Sequence, residues 1–252
     1  MAHTTKDLMN KTLRGIRQFA LIIASGTSST TDDYLLMILQ FVNEAKEEIE
    51  ESGWPWQALR STVTVTLAAS TAEYTLNIAG DADVNTNDRS RLLYENLTTY
   101  GSSEGFFNSN SSRPMVFDTT DSSEERLTEI TQERMERLHF TDNDETGQPR
   151  YFSLYASSSS LVMKIWPTPD AVYTLKMRLY IPQGELVATD LTTAIKIPER
   201  PVYLRATFKA NEERGSELGK EGSALWIAMN DAQGAATAKE QTPADQTVNL
   251  SR

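Results

Sequence analysis

Apolar side chains recur at Met9, Leu13, Ile16, Ala20 and Ile23, in steps of four, three, four and three, the spacing of one helical face. Thr4 or Thr5 supplies a cap and Asp7 falls in the first turn, where negative charge suits the helix dipole, so a first helix is predicted over 4–24. Ser25-Gly26-Thr27-Ser28-Ser29-Thr30 breaks the pattern. Thr31-Asp32-Asp33 then opens a longer helix to about Ser52, with Leu35, Ile38, Leu39, Val42, Ala45 and Ile49 as its stripe. In its first half Leu36, Met37 and Phe41 lie off that stripe and make it apolar nearly all round. Such a helix is either central in a bundle or covered by a neighbouring subunit. Its second half, 44–51, is strongly acidic outside Ala45 and Ile49.

Gly53 ends this helix, and Trp54-Pro55-Trp56 follows at once as a rigid, bulky corner, because proline fixes its own φ and biases the residue before it to extended geometry. The same rings are also candidates for a stacking platform under bases or sugars. Thr and Val then alternate from Ser61 to Leu67, and Ala72 to Ile78 places Tyr74, Leu76 and Ile78 on one side, which predicts a β-hairpin. A second β cluster covers Arg150–Ala156, Leu161–Trp166 and Val172–Ile181. Five strands joined mainly by short turns argue for an antiparallel sheet or small sandwich. The polar stretch 79–123 between the clusters suits a long excursion rather than a core element. A short helix is predicted over Ser123–Leu138, with Leu127, Ile130, Met135 and Leu138 on one side.

Pro198 and Pro201 bracket the entry to a helix over Val202–Arg214, with Tyr203, Ala206, Phe208 and Ala210 as candidate buried positions. Another follows over Ser223–Lys239, with Leu225, Ala228, Met229, Ala232 and Ala236 at helical spacing. The fold class is therefore α+β: a helical bundle from the N- and C-terminal helices with an inserted antiparallel β domain. The expected boundaries are 1–59 for the first helices, 60–197 for the β domain with its long insertion 79–149, 198–239 for the last helices and 240–252 for an extended tail.

Composition narrows the function classes. The 252 residues include no cysteine, which excludes thiol enzymes, disulfide scaffolds and Cys-ligated zinc. With 24 basic against 35 acidic side chains the net charge is −11, which opposes nucleic-acid wrapping as a main task. The acidity is local: residues 118–145 hold ten acids and three bases, a surplus of seven. His3 and His139, the two histidines, lie beside no plausible nucleophile. No GxGxxG or P-loop occurs. Asp81-Ala82-Asp83-Val84-Asn85-Thr86-Asn87-Asp88 opens like a calcium loop but has Thr86 where glycine is needed and Leu92 where a bidentate glutamate is needed, and Asp142–Gly147 fits no better. No spacing selects a carboxylate pair for glycoside hydrolysis. No catalytic residue, metal or cofactor is expected. The longest uncharged apolar runs, six residues, are far short of a membrane span of ~20, and the start lacks the order of a signal peptide, so a cytosol-like compartment and no membrane are expected.

Three segments carry a resemblance. They are Phe41-Val42-Asn43-Glu44-Ala45-Lys46-Glu47-Glu48-Ile49-Glu50 running into Gly53-Trp54-Pro55-Trp56-Gln57-Ala58-Leu59-Arg60; Ile165-Trp166-Pro167-Thr168-Pro169-Asp170; and Ile197-Pro198-Glu199-Arg200-Pro201-Val202 leading to Glu212-Glu213-Arg214-Gly215. In this order they resemble the head-to-tail adaptor (connector) proteins of tailed bacteriophages, the group that includes tail tubular protein A. The resemblance implies a virion protein at the head-tail interface that forms a homo-oligomeric ring, usually dodecameric, between the portal protein and the tail or nozzle protein. Genomic DNA passes through such a ring without specific binding. It further implies that the tail, with Thr247, Val248, Asn249, Leu250 and Arg252, reaches the portal. Leu36, Met37 and Phe41 become candidates for the subunit interface, and Trp54, Pro55, Trp56, Trp166 and Pro167 for structural corners. Some of the acids on the second helix would then face the DNA and repel it. The rival is a carbohydrate- or receptor-binding β module of a virion that uses Trp54, Trp56 or Trp166 as its platform, with a carboxylate-dependent glycosidase third.

Overall fold

The computed structural model describes residues 3–18, 21–52, 56–76, 89–96, 112–114, 116–120, 125–141, 145–157, 160–213 and 220–241. The chain divides into two compact units, one of residues 1–59 with 183–252 and one of residues 60–182. The described sheets lie in the second and helices in both, so the fold is α+β.

In the helical unit, α1 (Thr5–Gly15) begins at a capping box: the Thr4 hydroxyl accepts from the Asp7 backbone while the Asp7 carboxylate accepts from the Thr4 N–H. The backbone bond from Thr4 comes first among the influences that hold the Asp7 carboxyl below the usual range, and it outweighs the opposing effect of burial. The helix is shorter than its apolar periodicity predicts. It closes in a Schellman motif, with Arg17 at φ 61° and the Gln18 N–H bonded to the Leu13 carbonyl at 2.8 Å. Ile23 is still buried, because the Asn10 side chain donates to its carbonyl at 3.0 Å and accepts from its N–H at 2.8 Å. A loop thus delivers a side chain that the periodicity assigned to a third helical turn.

The second helix, α2 (Asp33–Glu50), starts where its caps predict, with Asp32 accepting from the Leu35 N–H. It buries Ile38, Leu39, Val42, Ala45 and Ile49. Helices α1, α2 and α5 (Lys220–Gln241) all pack on α4 (Glu199–Glu213). Pro201 is buried in the first turn of α4, where a missing N–H costs nothing. Val202, Ala206, Thr207 and Ala210 form its buried stripe, whereas the candidate positions Tyr203 and Phe208 are only half-buried. Gly15 makes the closest approach. A Cβ there would lie 2.7 Å from Thr207 Cγ2 and 2.9 Å from its hydroxyl.

In the β unit, β1 (Arg60–Leu67) and β2 (Glu73–Thr75) do not form the predicted hairpin. Period-two alternation reports which face a strand buries, not which strand it pairs with, and these two belong to opposite sheets. The Tyr74 hydroxyl holds the turn between them: it accepts from the Ala68 N–H at 2.9 Å and lies 3.0 and 2.8 Å from the Ala68 and Thr71 carbonyls.

The remaining strands are β3 (Arg91–Leu92), β4 (Tyr94–Asn96), β5 (Ser112–Pro114), β6 (Val116–Asp118), β7 (Glu125–Arg126), β8 (Thr128–Glu129), β9 (Tyr151–Ser157), β10 (Ser160–Trp166) and β11 (Tyr173–Tyr180). The first sheet runs β1-β11-β6-β7, with β3 also on β11. The second runs β2-β10-β9-β8, and β4 pairs with β5. All pairs are antiparallel except β8 with β9. Val63, Val65, Leu67, Leu175, Met177 and Leu179 from the first sheet share one core with Phe152, Leu161, Met163 and Ile165 from the second.

Two expectations for the stretch 79–138 are corrected. The described parts of 79–123 are not an excursion, since Leu92 and Val116 enter the shared core. The predicted helix over 123–138 is strand in its first half: the Leu127 N–H donates to the Val116 carbonyl in one sheet, and those of Thr128 and Ile130 to Arg150 and Phe152 in the other. A single segment thereby stitches the two sheets together. Only α3 (Gln132–Thr141) is helical, with Met135 buried on it. The His139 ring, on α3, donates from Nε2 to the Ile165 carbonyl at 3.1 Å. Partial burial, then the nearby Lys164 charge, lower its pKa more than this bond raises it.

Gly15→Ala is expected to destabilise the chain by about 1–3 kcal/mol through overpacking against Thr207. Urea unfolding should show this loss, and should show most of it recovered when Thr207→Ala opens the space. A second expectation concerns pH. Because the folded His139 takes up a proton less readily than an unfolded histidine, its contribution is fully present above the unfolded value of about 6.5 and is lost as pH falls through the depressed folded value. Between neutral and mildly acidic pH the native chain should lose more stability than His139→Gln, which keeps a donor for Ile165; equal losses would remove His139 as the cause.

Candidate functional site

Apolar side chains left partly uncovered lie on two helices of the helical unit. Leu36 is 37% exposed, and Met37 and Phe41 are half-buried, so the off-stripe face of α2 is only partly covered by its own unit. On α5, Trp226 is 49% and Ile227 59% exposed, with the Trp226 ring 5.6 Å from that of Phe208 on α4. These two α5 residues were not singled out from sequence. The signal was present, since both fall off the stripe formed by Met229, Ala232 and Ala236, as Leu36, Met37 and Phe41 fall off theirs.

Two of the corner tryptophans, Trp56 and Trp166, lie among the described residues. Trp56 is completely buried and donates from Nε1 to the Ile49 carbonyl at 3.1 Å, tying the corner back to the last turn of α2. Trp166 is half-buried with its ring 5.9 Å from Tyr151, and the cis Trp166-Pro167 bond leads into a buried Pro167. Trp54, Pro55, the tail residues Thr247, Val248, Asn249, Leu250 and Arg252, and the loop 81–88 lie outside the described residues. Among the described residues no cluster of three or more His, Asp and Glu side chains is arranged to hold a metal ion. Among them also, no helix is long and apolar enough to cross a membrane.

The acidic half of α2 is only in part the solvated face its composition suggests. Lys46 and Glu50 are both fully buried, with Lys46 Nζ 3.4 Å from Glu50 Oε2. Lys46 Nζ donates to the Gln183 carbonyl at 2.7 Å, and Glu50 Oε1 accepts from the Gln183 N–H at 3.2 Å. One turn earlier, Asn43 accepts from the Leu186 N–H at 2.9 Å and donates to its carbonyl at 3.0 Å. Residues 183–197, which hold no helix or strand, are thereby bonded to α2, and the Leu191 and Thr193 carbonyls accept from Lys6 and Thr5 at the start of α1. Glu44 and Glu48 face α4, where Lys209 Nζ lies 3.2 and 2.7 Å from their carboxylates and Arg205 lies 3.4 Å from Glu48. Partial burial works against the Lys209 ammonium, but the bonds and charges of Glu48 and Glu44 outweigh it and raise its pKa.

With this geometry in place, the comparison with known families is decisive. Residues 6–249 match the SU10 adaptor protein family. The chain belongs to that family. No curated protein matches it. The family indicates a structural phage adaptor, which agrees with exposed apolar side chains and internally paired charges on the adaptor's helices.

Removing one half of the buried pair leaves the other charge in the interior without the counter-charge 3.4 Å away. Lys46→Met in the adaptor is expected to cost about 3–5 kcal/mol. The double change Lys46→Met with Glu50→Leu should cost less than the two single changes added, by about 0.5–3 kcal/mol, in a double-mutant cycle on chemical unfolding. Strict additivity would mean that the pair is not coupled.

Proposed function

We propose that this adaptor forms a homo-oligomeric ring, a dodecamer of the tail tubular protein A type, between the portal protein and the tail or nozzle protein. The ring assembles in the host cytoplasm and completes the DNA channel of the virion at the head-tail interface. The carrying observation is the uncovered apolar surface on two helices of an adaptor-family chain, Leu36 on α2 and Trp226 with Ile227 on α5. A ring needs two different patches per subunit, because a head-to-tail contact repeats until it closes. Met37 and Phe41 extend the α2 patch. The tail, through Thr247, Val248, Asn249, Leu250 and Arg252, contacts the portal.

DNA passes through this ring without specific binding. The acids of α2 contribute less to that than their number suggests: Glu50 is interior, and Glu44 and Glu48 are neutralised by Lys209 and Arg205. The carbohydrate- or receptor-binding alternative draws no support from Trp56, which presents no ring surface.

Mass measurement of the purified protein, alone and mixed with a portal ring, tests the proposal. A subunit that assembles on the portal into a complex of twelve copies is the expected result; failure to bind any portal with residues 242–252 intact would sink it. Deleting residues 242–252 should weaken docking and leave the circular-dichroism spectrum nearly unchanged. Undiminished docking would remove the tail as the portal contact.

A further inference from the structure

Among the described residues, the outer edge of β1 carries no partner strand. On β11, the carbonyls of Thr174 and Arg178 accept from Thr119 at 2.9 Å and Leu93 at 3.0 Å, on the side away from β1. Backbone direction alternates along a strand, so the ladder to β1 runs through Leu175, Met177 and Leu179, which stand opposite Val65, Val63 and Ser61. The N–H and C=O groups of Thr62, Thr64 and Thr66 therefore point away from β11. Among the described residues, no strand pairs with them. This edge is eight residues long, in continuous register, without proline, glycine or bulge. Proteins ordinarily blunt such an edge with charges, proline or bulges, because it is a template for another strand.

The outer face of the same sheet is basic. Register places Thr62 beside Arg178, Thr64 beside Lys176, Lys176 beside Phe117 and Phe117 beside Arg126, with Arg60 and Arg91 both opposite Tyr180. Lys176, Arg178, Arg60 and Arg91 are exposed; the Arg91 guanidinium lies 4.6 Å from the Tyr180 ring centroid and that of Arg126 4.9 Å from Phe117. These paired positions hold five cations and no carboxylate, in a chain whose net charge is −11.

We propose that β1 accepts an extended acidic segment of a partner protein as an added strand. The segment's backbone bonds to Thr62, Thr64 and Thr66. Its apolar side chains continue the row of Val63, Val65 and Leu67 on the core side. Its carboxylates, on the outer side, meet Lys176 and Arg178 two strand spacings away, roughly 10 Å at the backbone and within reach of long side chains. Main-chain pairing supplies affinity and the cations select for acid, the mode of recognition used wherever a peptide extends a sheet.

The probe is a fluorescein-labelled peptide of alternating valine and glutamate, titrated by anisotropy against the full chain at low salt. Binding is expected, with weakening as salt rises and no binding by the valine–lysine counterpart. Thr64→Pro, which deletes an edge N–H but none of the ladder to β11, should weaken it about tenfold. Lys176→Glu with Arg178→Glu should do so by a similar factor. Should Thr64→Pro fail to fold, slowed amide exchange at Thr62, Thr64 and Thr66 in the native chain with peptide carries the same expectation. Absence of binding, or equal binding to folded Thr64→Pro, overturns the proposal. So does duplex DNA displacing the peptide with equal affinity for both proteins, which would make the face a general polyanion surface. A dimer of the chain abolished by Thr64→Pro would assign the edge to a second copy instead.

Discussion

A buried ammonium and carboxylate fix where the chain re-enters the helical unit. Taking Lys46 and Glu50 out of water is costly, and their mutual attraction alone does not guarantee repayment. What completes the arrangement is Gln183, whose carbonyl accepts from one partner and whose N–H donates to the other. The same residue's side chain donates to the Ala194 carbonyl and accepts from the Lys196 N–H. A backbone group in an irregular segment needs a partner as much as one in a helix does. Side chains of α2 supply those partners here, and the segment they fix in turn binds the start of α1. The order of α1 relative to α2 thus depends on a loop that the pair anchors.

That dependence explains which parts of the fold were legible in the sequence. Helix α2 was readable from Asp32 to Ile49 because its cap and stripe are local. The end of α1 was not, since Ile23 keeps the helical interval while the chain has already turned at Arg17, and the substitute for helical geometry is the Asn10 side chain. The Lys46–Glu50 pair was hidden in plain view. An i,i+4 pair inside the run Glu44–Glu51 has the pattern of a solvated helix face, and only the position of Gln183, 133 residues beyond Glu50, makes it an interior one.

The β unit shows a related limit. The individual strands β1, β9, β10 and β11 followed from alternation, but their partners did not, because alternation is a property of one strand against a core. Strands of two or three residues, such as β3, β7 and β8, are too short to show any period. Leu127 illustrates the ambiguity: three residues before Ile130 and eight before Met135, it fits a helix, yet it is buried in the shared core between two strand bonds. The periodicity placed Leu36, Met37 and Phe41 off the buried stripe of α2, where they lie, and the same rule applies to Trp226 and Ile227 on α5. The buried role of Trp56 was legible as one of two uses of a rigid corner.

Charge distribution joins these observations to docking. The surplus of acid in the sequence would suggest a chain that repels its neighbours, but much of the charge on α2 is spent internally: Glu50 on Lys46 and Gln183, Glu44 and Glu48 on Lys209 and Arg205. An exposed ion pair of this kind adds little stability, about 1 kcal/mol or less, yet it removes repulsion that would otherwise oppose assembly. In the proposed ring, the apolar surface of Leu36, Trp226 and Ile227 acts against a weaker electrostatic background than net charge implies. That ring requires a subunit that stays apart when free and associates through apolar contacts once its partners are present. Net acidity with locally compensated helices satisfies both demands, because long-range repulsion is screened beyond about 8–10 Å at physiological ionic strength while apolar burial is not.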